Sequence, residues 1–244
     1  MENYNNSSNY NTPDYYQSLS LPAMVSSAMK KVYLKMTVGL LVTAFVSMFC
    51  ASSATFLQFL ASNSWFMWAM IIVEFGIVIG VSAGINKLSS PTAALLFYLF
   101  AVVNGFMLCP IFLVYTHTSI AKTFFITAGT FAAMSIFGYT TNQDLTKVGN
   151  ILVMALIGLI IASVVNIFTH SSTLDWIISI AGVIIFVGLT AWDTQQIKMM
   201  AQTMPHDQVG RLSTLGALSL YLDSSTSSSI CCVSSETAAT EFKV

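Results

Sequence analysis

Apolar residues form long runs along most of this chain, and short polar stretches separate them. A helix that crosses a bilayer needs about 20 predominantly apolar residues. The runs that reach this length are 32–53, 64–85, 91–115, 120–139, 148–168 and 174–195. A seventh run begins near Leu212 and turns polar after Asp223, so it spans only about 18 Å of a core about 30 Å thick. The pattern predicts an all-α membrane protein with six full transmembrane helices and a truncated seventh.

Polar segments flank the predicted bundle on both sides. Residues 1–29 are rich in Asn, Ser and Tyr, a composition typical of a disordered leader, and they lack the apolar core of a cleavable signal peptide. We expect the helical bundle over residues 30–223. Residues 224–244 are rich in serine, and we expect this tail to be disordered.

The abrupt change after Asp223 has two explanations, a natural polar tail or a slip of the reading frame. If the serine codons are of the TCN type, a one-base shift converts each of them into a codon for Phe, Leu, Ile or Val. With suitable third bases, residues 224–233 then read Phe-Ile-Asn-Leu-Phe-Ile-Tyr-Leu-Leu-Arg. That alternative would complete a transmembrane helix with a basic end, so we hypothesise a frame-shifted tail.

The composition supports a location in the lipid bilayer. The chain is 55% hydrophobic and 8% charged, whereas soluble domains carry about 25% charged residues. Its formal net charge of -1 gives no indication of a nucleic-acid partner. The four cysteines form neither a CxxC motif nor a cluster with histidine, so we expect no disulfide framework, no zinc site and no cofactor.

Basic residues predict the orientation of the helices, because cytoplasmic loops carry an excess of Lys and Arg. The basic residues that fall at one end of the predicted bundle are Lys30, Lys31, Lys87, Lys147, Lys198 and Arg211, whereas the opposite loops offer only Lys122. We therefore expect a cytoplasmic N-terminus. The short leader and compact loops favour a bacterial inner membrane.

Two aspartates lie in apolar surroundings, Asp193 near the end of the sixth predicted helix and Asp223 in the seventh. An ionised carboxylate inside a bilayer costs about 2.5–3.5 kcal/mol. The short connection between these helices predicts antiparallel neighbours, which brings both carboxylates within reach of each other. Two close carboxylates in a low dielectric share one proton, and the fully ionised pair attracts Ca²⁺ as a weak, transient ligand.

Other interpretations of the acidic residues stay open. Asp193 could be an interfacial residue that pairs with Lys198, and Asp223 could be the end of a helix at the interface. Glu74, in the middle of the second predicted helix, is either hydrogen-bonded inside the bundle or a pore group. Intramembrane aspartyl proteases also use two membrane aspartates, but the chain lacks their Gly-x-Gly-Asp and Pro-Ala-Leu signatures, so we do not expect an enzyme.

Several motifs, taken in order, carry a resemblance to a known family. They are Glu74-Phe-Gly-Ile-Val, Asn104-Gly, Phe137-Gly-Tyr-Thr-Thr-Asn-Gln-Asp-Leu-Thr146, Gly188-Leu-Thr-Ala-Trp-Asp-Thr-Gln195 and Ala217-Leu-Ser-Leu-Tyr-Leu-Asp223. With them the chain resembles the Bax inhibitor family, seven-helix proteins of bacterial and endoplasmic-reticulum membranes. The resemblance implies a central seventh helix and a calcium leak that responds to protons, with Asp193 and Asp223 as its pH sensor.

The chain departs from the family pattern where many members carry a basic latch residue late in helix two. Ala83-Gly-Ile-Asn stands there, and Lys87 is the nearest cation, so Lys87 and Glu74 are the candidates for a latch or pore role. A different function also stays open. The chain could be a non-transporting regulatory factor that acts on a membrane protease or a stress-response partner.

Overall fold

The computed structural model describes residues 12–84, 88–111, 117–169, 171–203 and 208–241. These residues are almost entirely helical, which confirms the predicted all-α class. The helices are α1 (Thr12–Ala51), α2 (Ala54–Ser62), α3 (Ser64–Gly84), α4 (Ser90–Leu108), α5 (His117–Thr140), α6 (Thr146–Thr169), α7 (Ser172–Thr203) and α8 (Val209–Glu241).

Five of these helices are long and apolar enough to cross a membrane, namely α1, α4, α5, α6 and α7. The second predicted span corresponds to α3, whose apolar part is the shorter stretch Trp68–Gly84. The short helix α2 connects α1 to α3. The membrane class that the apolar runs predict is therefore confirmed, with one span shorter than expected.

Helix α8 is the centre of the bundle. It packs extensively against α7, α1, α5 and α4, whereas α3 packs mainly on α4 and α6 packs on α7. Among the described residues, the central helix therefore packs closely on four other helices, and α3 approaches it around a cavity. Apolar side chains of the outer helix α6, such as Met154, Ile161 and Phe168, point outward, as expected for a surface that faces lipid.

The apolar core lies around the first half of α8. Leu220 and Tyr221 are fully buried there and contribute to one cluster with Val32 of α1 and Phe97 of α4. The exposed Lys30 lies at this end of the bundle. We call this end of the bundle the basic end. The core therefore holds α1, α4 and α8 together at the basic end of the bundle.

The start of the bundle lies earlier than expected. Helix α1 begins at Thr12, and Val25, Ala28 and Met29 are buried in the core cluster. These residues fall within the segment 1–29 that composition assigns to a disordered leader. They are buried because the last part of the leader carries apolar side chains. These side chains pack against the other helices of the core.

The end of the bundle also differs from the expectation. Helix α8 does not stop at Asp223 but continues through the Ser-rich stretch to Glu241, and Ser224, Ser225 and Ser227 are buried. A serine hydroxyl can bond to a carbonyl one turn earlier in its own helix. Ser229 does so with the carbonyl of Ser225 at 2.8 Å. This local bonding accounts for helical structure where composition predicts a truncated helix and a disordered tail.

Glycines allow α5 and α6 to approach α7 closely. A Cβ atom on Gly138 of α5 would collide with the backbone of Ala191, and one on Gly149 of α6 would collide with the indole of Trp192. Small residues at such positions are typical of membrane helix contacts, because they let backbones come together. The two glycines therefore fix the segment of α7 that carries Asp193.

Candidate functional site

Asp193 lies on α7 near the basic end and is half-buried. Its Oδ2 accepts a hydrogen bond from the hydroxyl of Ser219 on α8. The carboxylate also lines a cavity of about 240 Å³, to which α3 contributes Ser82. Asp193 is therefore held by the central helix and opens onto a space between α3, α7 and α8.

Lys198, the cation expected as an alternative partner of Asp193, is engaged elsewhere. Its Nζ donates a hydrogen bond to the carbonyl oxygen of Tyr139 at 2.7 Å and lies 5.1 Å from the centre of the Tyr139 ring. The structure therefore joins Lys198 to α5, one turn beyond Asp193.

Asp223 lies on α8, and only 6% of its surface is exposed. It is hydrogen-bonded to the side chain of Thr190 on α7, and Asp193 is close enough for the two charges to interact. Its other oxygen, Oδ2, is buried and has no hydrogen-bond partner among the described residues. The structure thus brings the two predicted aspartates together, on adjoining helices.

The unpaired oxygen indicates which protonation state suits the pair. A buried acceptor without a partner costs about 1–3 kcal/mol, and more if it is charged. Two ionised carboxylates would add mutual repulsion. Beside Asp223 lies a cavity of about 10 Å³ lined by the hydroxyls of Thr127 and Ser227, about the size of one water probe. The arrangement fits a pair that holds one proton between its two members.

Neighbouring residues of the same α7 motif fix its position. The side-chain oxygen of Gln195 accepts a hydrogen bond from the backbone N–H of Leu145 at 2.9 Å, and its Nε2 donates to the carbonyl of Gln143 at 2.7 Å. Thr194 bonds with Ser135 of α5 at 3.0 Å. The motif around Asp193 is therefore attached both to α5 and to the connection between α5 and α6.

A second polar centre, which the sequence reasoning missed as a unit, joins four helices. Asn104 of α4 donates to Glu74 Oε1 of α3 at 3.2 Å, and the hydroxyl of Tyr221 on α8 donates to Asn104 Oδ1 at 3.1 Å. Tyr221 also bonds with Thr43 of α1. Glu74 is therefore hydrogen-bonded within the bundle. The sequence feature that points to this polar centre is the presence of Glu74 and Asn104 in neighbouring apolar runs.

The remaining candidates contribute little to a ligand site. Lys87, the candidate latch cation, lies outside the described residues. Among the residues that the structure does describe, no three His, Cys, Asp or Glu side chains cluster as a metal site. Asp144 lies in the exposed connection between α5 and α6, where hydrogen bonds from Thr146 hold its pKa below its usual range. Asp175 accepts a hydrogen bond from Asn166 at the turn between α6 and α7.

Comparison with known proteins gives a match over most of the bundle. A family model described as "Inhibitor of apoptosis-promoting Bax1" matches residues 25–225. The inner membrane protein YbhL of Escherichia coli K12 is 48% identical over 204 residues, which cover 82% of this chain and 87% of that protein.

Two further relatives are uncharacterized bacterial proteins. One, from Borreliella burgdorferi, is 46% identical over 195 residues, 79% of this chain and 84% of the relative. The other, from Rickettsia prowazekii, is 42% identical over 196 residues, 80% of this chain and 83% of the relative. All three alignments cover more than four fifths of the relative's own length.

Proposed function

The chain belongs to the Bax inhibitor family and is an inner membrane protein, and from this premise we propose that it is a pH-sensitive calcium leak gated by Asp193 and Asp223. The observation that carries the proposal is the buried Oδ2 of Asp223, which has no hydrogen-bond partner in the described part of the chain and lies beside the carboxylate of Asp193. Calcium ions and protons are then the species that compete for this pair.

The mechanism follows from the charge of the pair. When the pair holds one proton, its net charge is lower and it attracts Ca²⁺ weakly. As the pH rises the proton leaves, and two carboxylates in a low dielectric repel each other while attracting a divalent cation. Because the aspartates stand on α7 and α8, their repulsion acts on the contact between these helices. The protonation state thereby biases which helix arrangement is stable.

The cavity that Asp193 lines provides the approach to the pair. It lies between α3, α7 and α8 and carries the side chains of Ser82 and Ser219 at its wall. On the other side of the pair, Ser224 and Ser227 of α8 line the small cavity beside Asp223. Hydroxyl groups therefore flank the carboxylates on both sides, as suits a weak, transient cation site better than a storage site.

Calcium uptake into liposomes across a pH series tests the proposal. We expect Asp193→Asn and Asp223→Asn each to flatten the pH dependence of flux, because one remaining carboxylate cannot share its proton with a partner. Asp144→Asn is the matched control, since Asp144 is exposed and distant in sequence from both sites, and it should leave the pH profile unchanged.

One result would contradict the leak itself, and another would contradict the gating role of the two aspartates. Purified, folded protein that gives no flux above empty vesicles at any pH would favour the non-transporting regulatory role. Flux whose pH dependence is unchanged in both aspartate variants would remove the pair from the gate.

The proposal also places the basic end of the bundle in the cytoplasm. Thiol labelling tests this orientation in a background whose four cysteines are replaced. We expect a membrane-impermeant maleimide to label Lys122→Cys in cells with a permeable outer membrane. Gln143→Cys should be labelled only after the inner membrane is opened. The reverse pattern would invert the orientation.

A further inference from the structure

A groove of about 500 Å³ runs between α1 and α5 at the basic end of the bundle. Its apolar lining includes Met29 and Met36 from α1 and Phe131, Ala132 and Ile136 from α5. Helix α1 packs mainly on α4 and α8, whereas α5 packs mainly on α7 and α8. The groove is therefore the gap that these two packing arrangements leave on the side of the bundle.

The groove has a polar base. The hydroxyl of Tyr33 on α1 bonds with that of Ser135 on α5, and Ser135 bonds in turn with Thr194 of α7. This chain of hydroxyls joins the two walls and connects them to the residue that follows Asp193. The base is thus a fixed structure, which keeps α1 and α5 at a set separation.

One cation lines the basic end of the groove, and a second is held on a residue of its lining. Lys30 lines the groove from α1 and is exposed. Lys198 does not itself line the groove, but it is bonded to the carbonyl of Tyr139, which lines the α5 wall, and it lies over the Tyr139 ring. An ammonium group has three donors. Lys198 uses one on Tyr139 and retains others for an anion.

We propose that this groove binds an anionic phospholipid, with one acyl chain along Met29, Met36 and Phe131 and the phosphate at Lys30, at the end where Tyr139 holds Lys198. Basic pockets between transmembrane helices recognise anionic head groups, and lysines near the membrane surface strengthen binding to anionic lipids. The pattern of lysines favours the cytoplasmic leaflet for this end. The site is separate from the aspartate pair and does not depend on the proposed leak.

Native mass spectrometry of the full chain in detergent tests the proposal. The probes are phosphatidylglycerol and phosphatidylethanolamine with identical acyl chains. We expect the protein to retain phosphatidylglycerol preferentially. Lys30→Gln should weaken that retention about fivefold, and Lys198→Gln by a similar factor. Lys198→Arg keeps the charge and should keep the preference, and Lys122→Gln, at the opposite end of the bundle, is the matched control.

A second pair of variants tests the groove itself. Ala132→Phe places a ring in the groove and should reduce retention of both lipids. Ala133→Phe changes the neighbouring exposed residue, which does not line the groove, and should have no effect. Equal retention of the two lipids by the unmodified protein would overturn the proposal. Unchanged lipid preference in Lys30→Gln and Lys198→Gln would do so as well.

Discussion

Tyr221 is a fully buried residue whose hydroxyl joins three helices. It bonds with Thr43 of α1 and donates to Asn104 of α4, while its ring lies against Phe97 and Phe100, each with a centroid separation of 5.7 Å. When one partner of a buried hydrogen bond is removed, the other partner is left unsatisfied, and this lowers stability. The hydroxyl therefore contributes to stability through the buried groups that it keeps hydrogen-bonded.

We expect Tyr221→Phe to lower the free energy of unfolding by about 1–3 kcal/mol, because Asn104 and Thr43 lose their shared partner in the interior. Chemical unfolding in detergent measures the change. Tyr98→Phe is the control, since Tyr98 makes no side-chain hydrogen bond to the described residues while its ring also contacts Phe97. Equal effects of the two substitutions would show that the network adds no stability.

The residues of the site were only partly predictable. A charge in an apolar run is visible in any sequence, so Asp193 and Asp223 could be identified, and the short connection between their helices predicted their proximity. Their partners Ser219 and Thr190 could not, because side-chain pairing depends on how each helix is rotated about its axis. The bond between Tyr221 and Asn104 spans 117 positions and leaves no local pattern.

At the scale of helices, contact between α5 and α7 depends on a single missing side chain. The position of a Cβ on Gly138 is occupied by the carbonyl of Ala191, which is backbone and cannot rotate away. On the same helix, Gly129 has no atom within 4 Å of its Cβ position. These two glycines therefore form a matched pair.

We expect Gly138→Ala to destabilise the bundle by about 1–3 kcal/mol, the usual cost of overpacking. Gly129→Ala should be neutral or slightly stabilising, because alanine favours a helix. Thermal unfolding in detergent compares the two. Similar transition temperatures for both variants would show that α5 can move away from α7 at no cost.

Helix positions were more predictable than helix ends. Long apolar runs give the membrane helices directly, because the bilayer sets their length. The continuation of α8 past Asp223 was not predictable, because serines lower the hydropathy of a segment and so end a predicted membrane helix. The hydroxyl of Ser229 instead bonds to a carbonyl within its own helix.

At the scale of the whole molecule, the family match ends close to where the Ser-rich stretch begins. The match ends at residue 225, two positions beyond Asp223. The reading-frame slip and the natural polar tail both fit this coincidence, so the slip stays a prediction. If the serine codons are of the TCN type, a shifted frame would supply apolar side chains at these positions of the central helix.

Replacing residues 224–233 with the shifted-frame segment should raise the folded yield in membranes and the transition temperature, because larger apolar side chains would fill the space around α8. That space includes a cavity of about 330 Å³ lined by Ser225, Ser228 and Ser229. A scrambled segment of the same composition is the control. Equal yield and stability for the original and the shifted-frame tails would argue against the slip.

The central position of α8 has a consequence for biogenesis. Its interior-facing side chains include Asp223, Ser224 and Ser225, and it is not among the helices apolar enough to cross a membrane by hydropathy. A segment leaving the translocation channel partitions into lipid according to its own hydrophobicity. For the chain with this tail, we expect helix α8 to enter the bilayer together with its neighbours, which supply the hydrogen-bond partners that lipid lacks, so that the earlier helices act as its insertion scaffold.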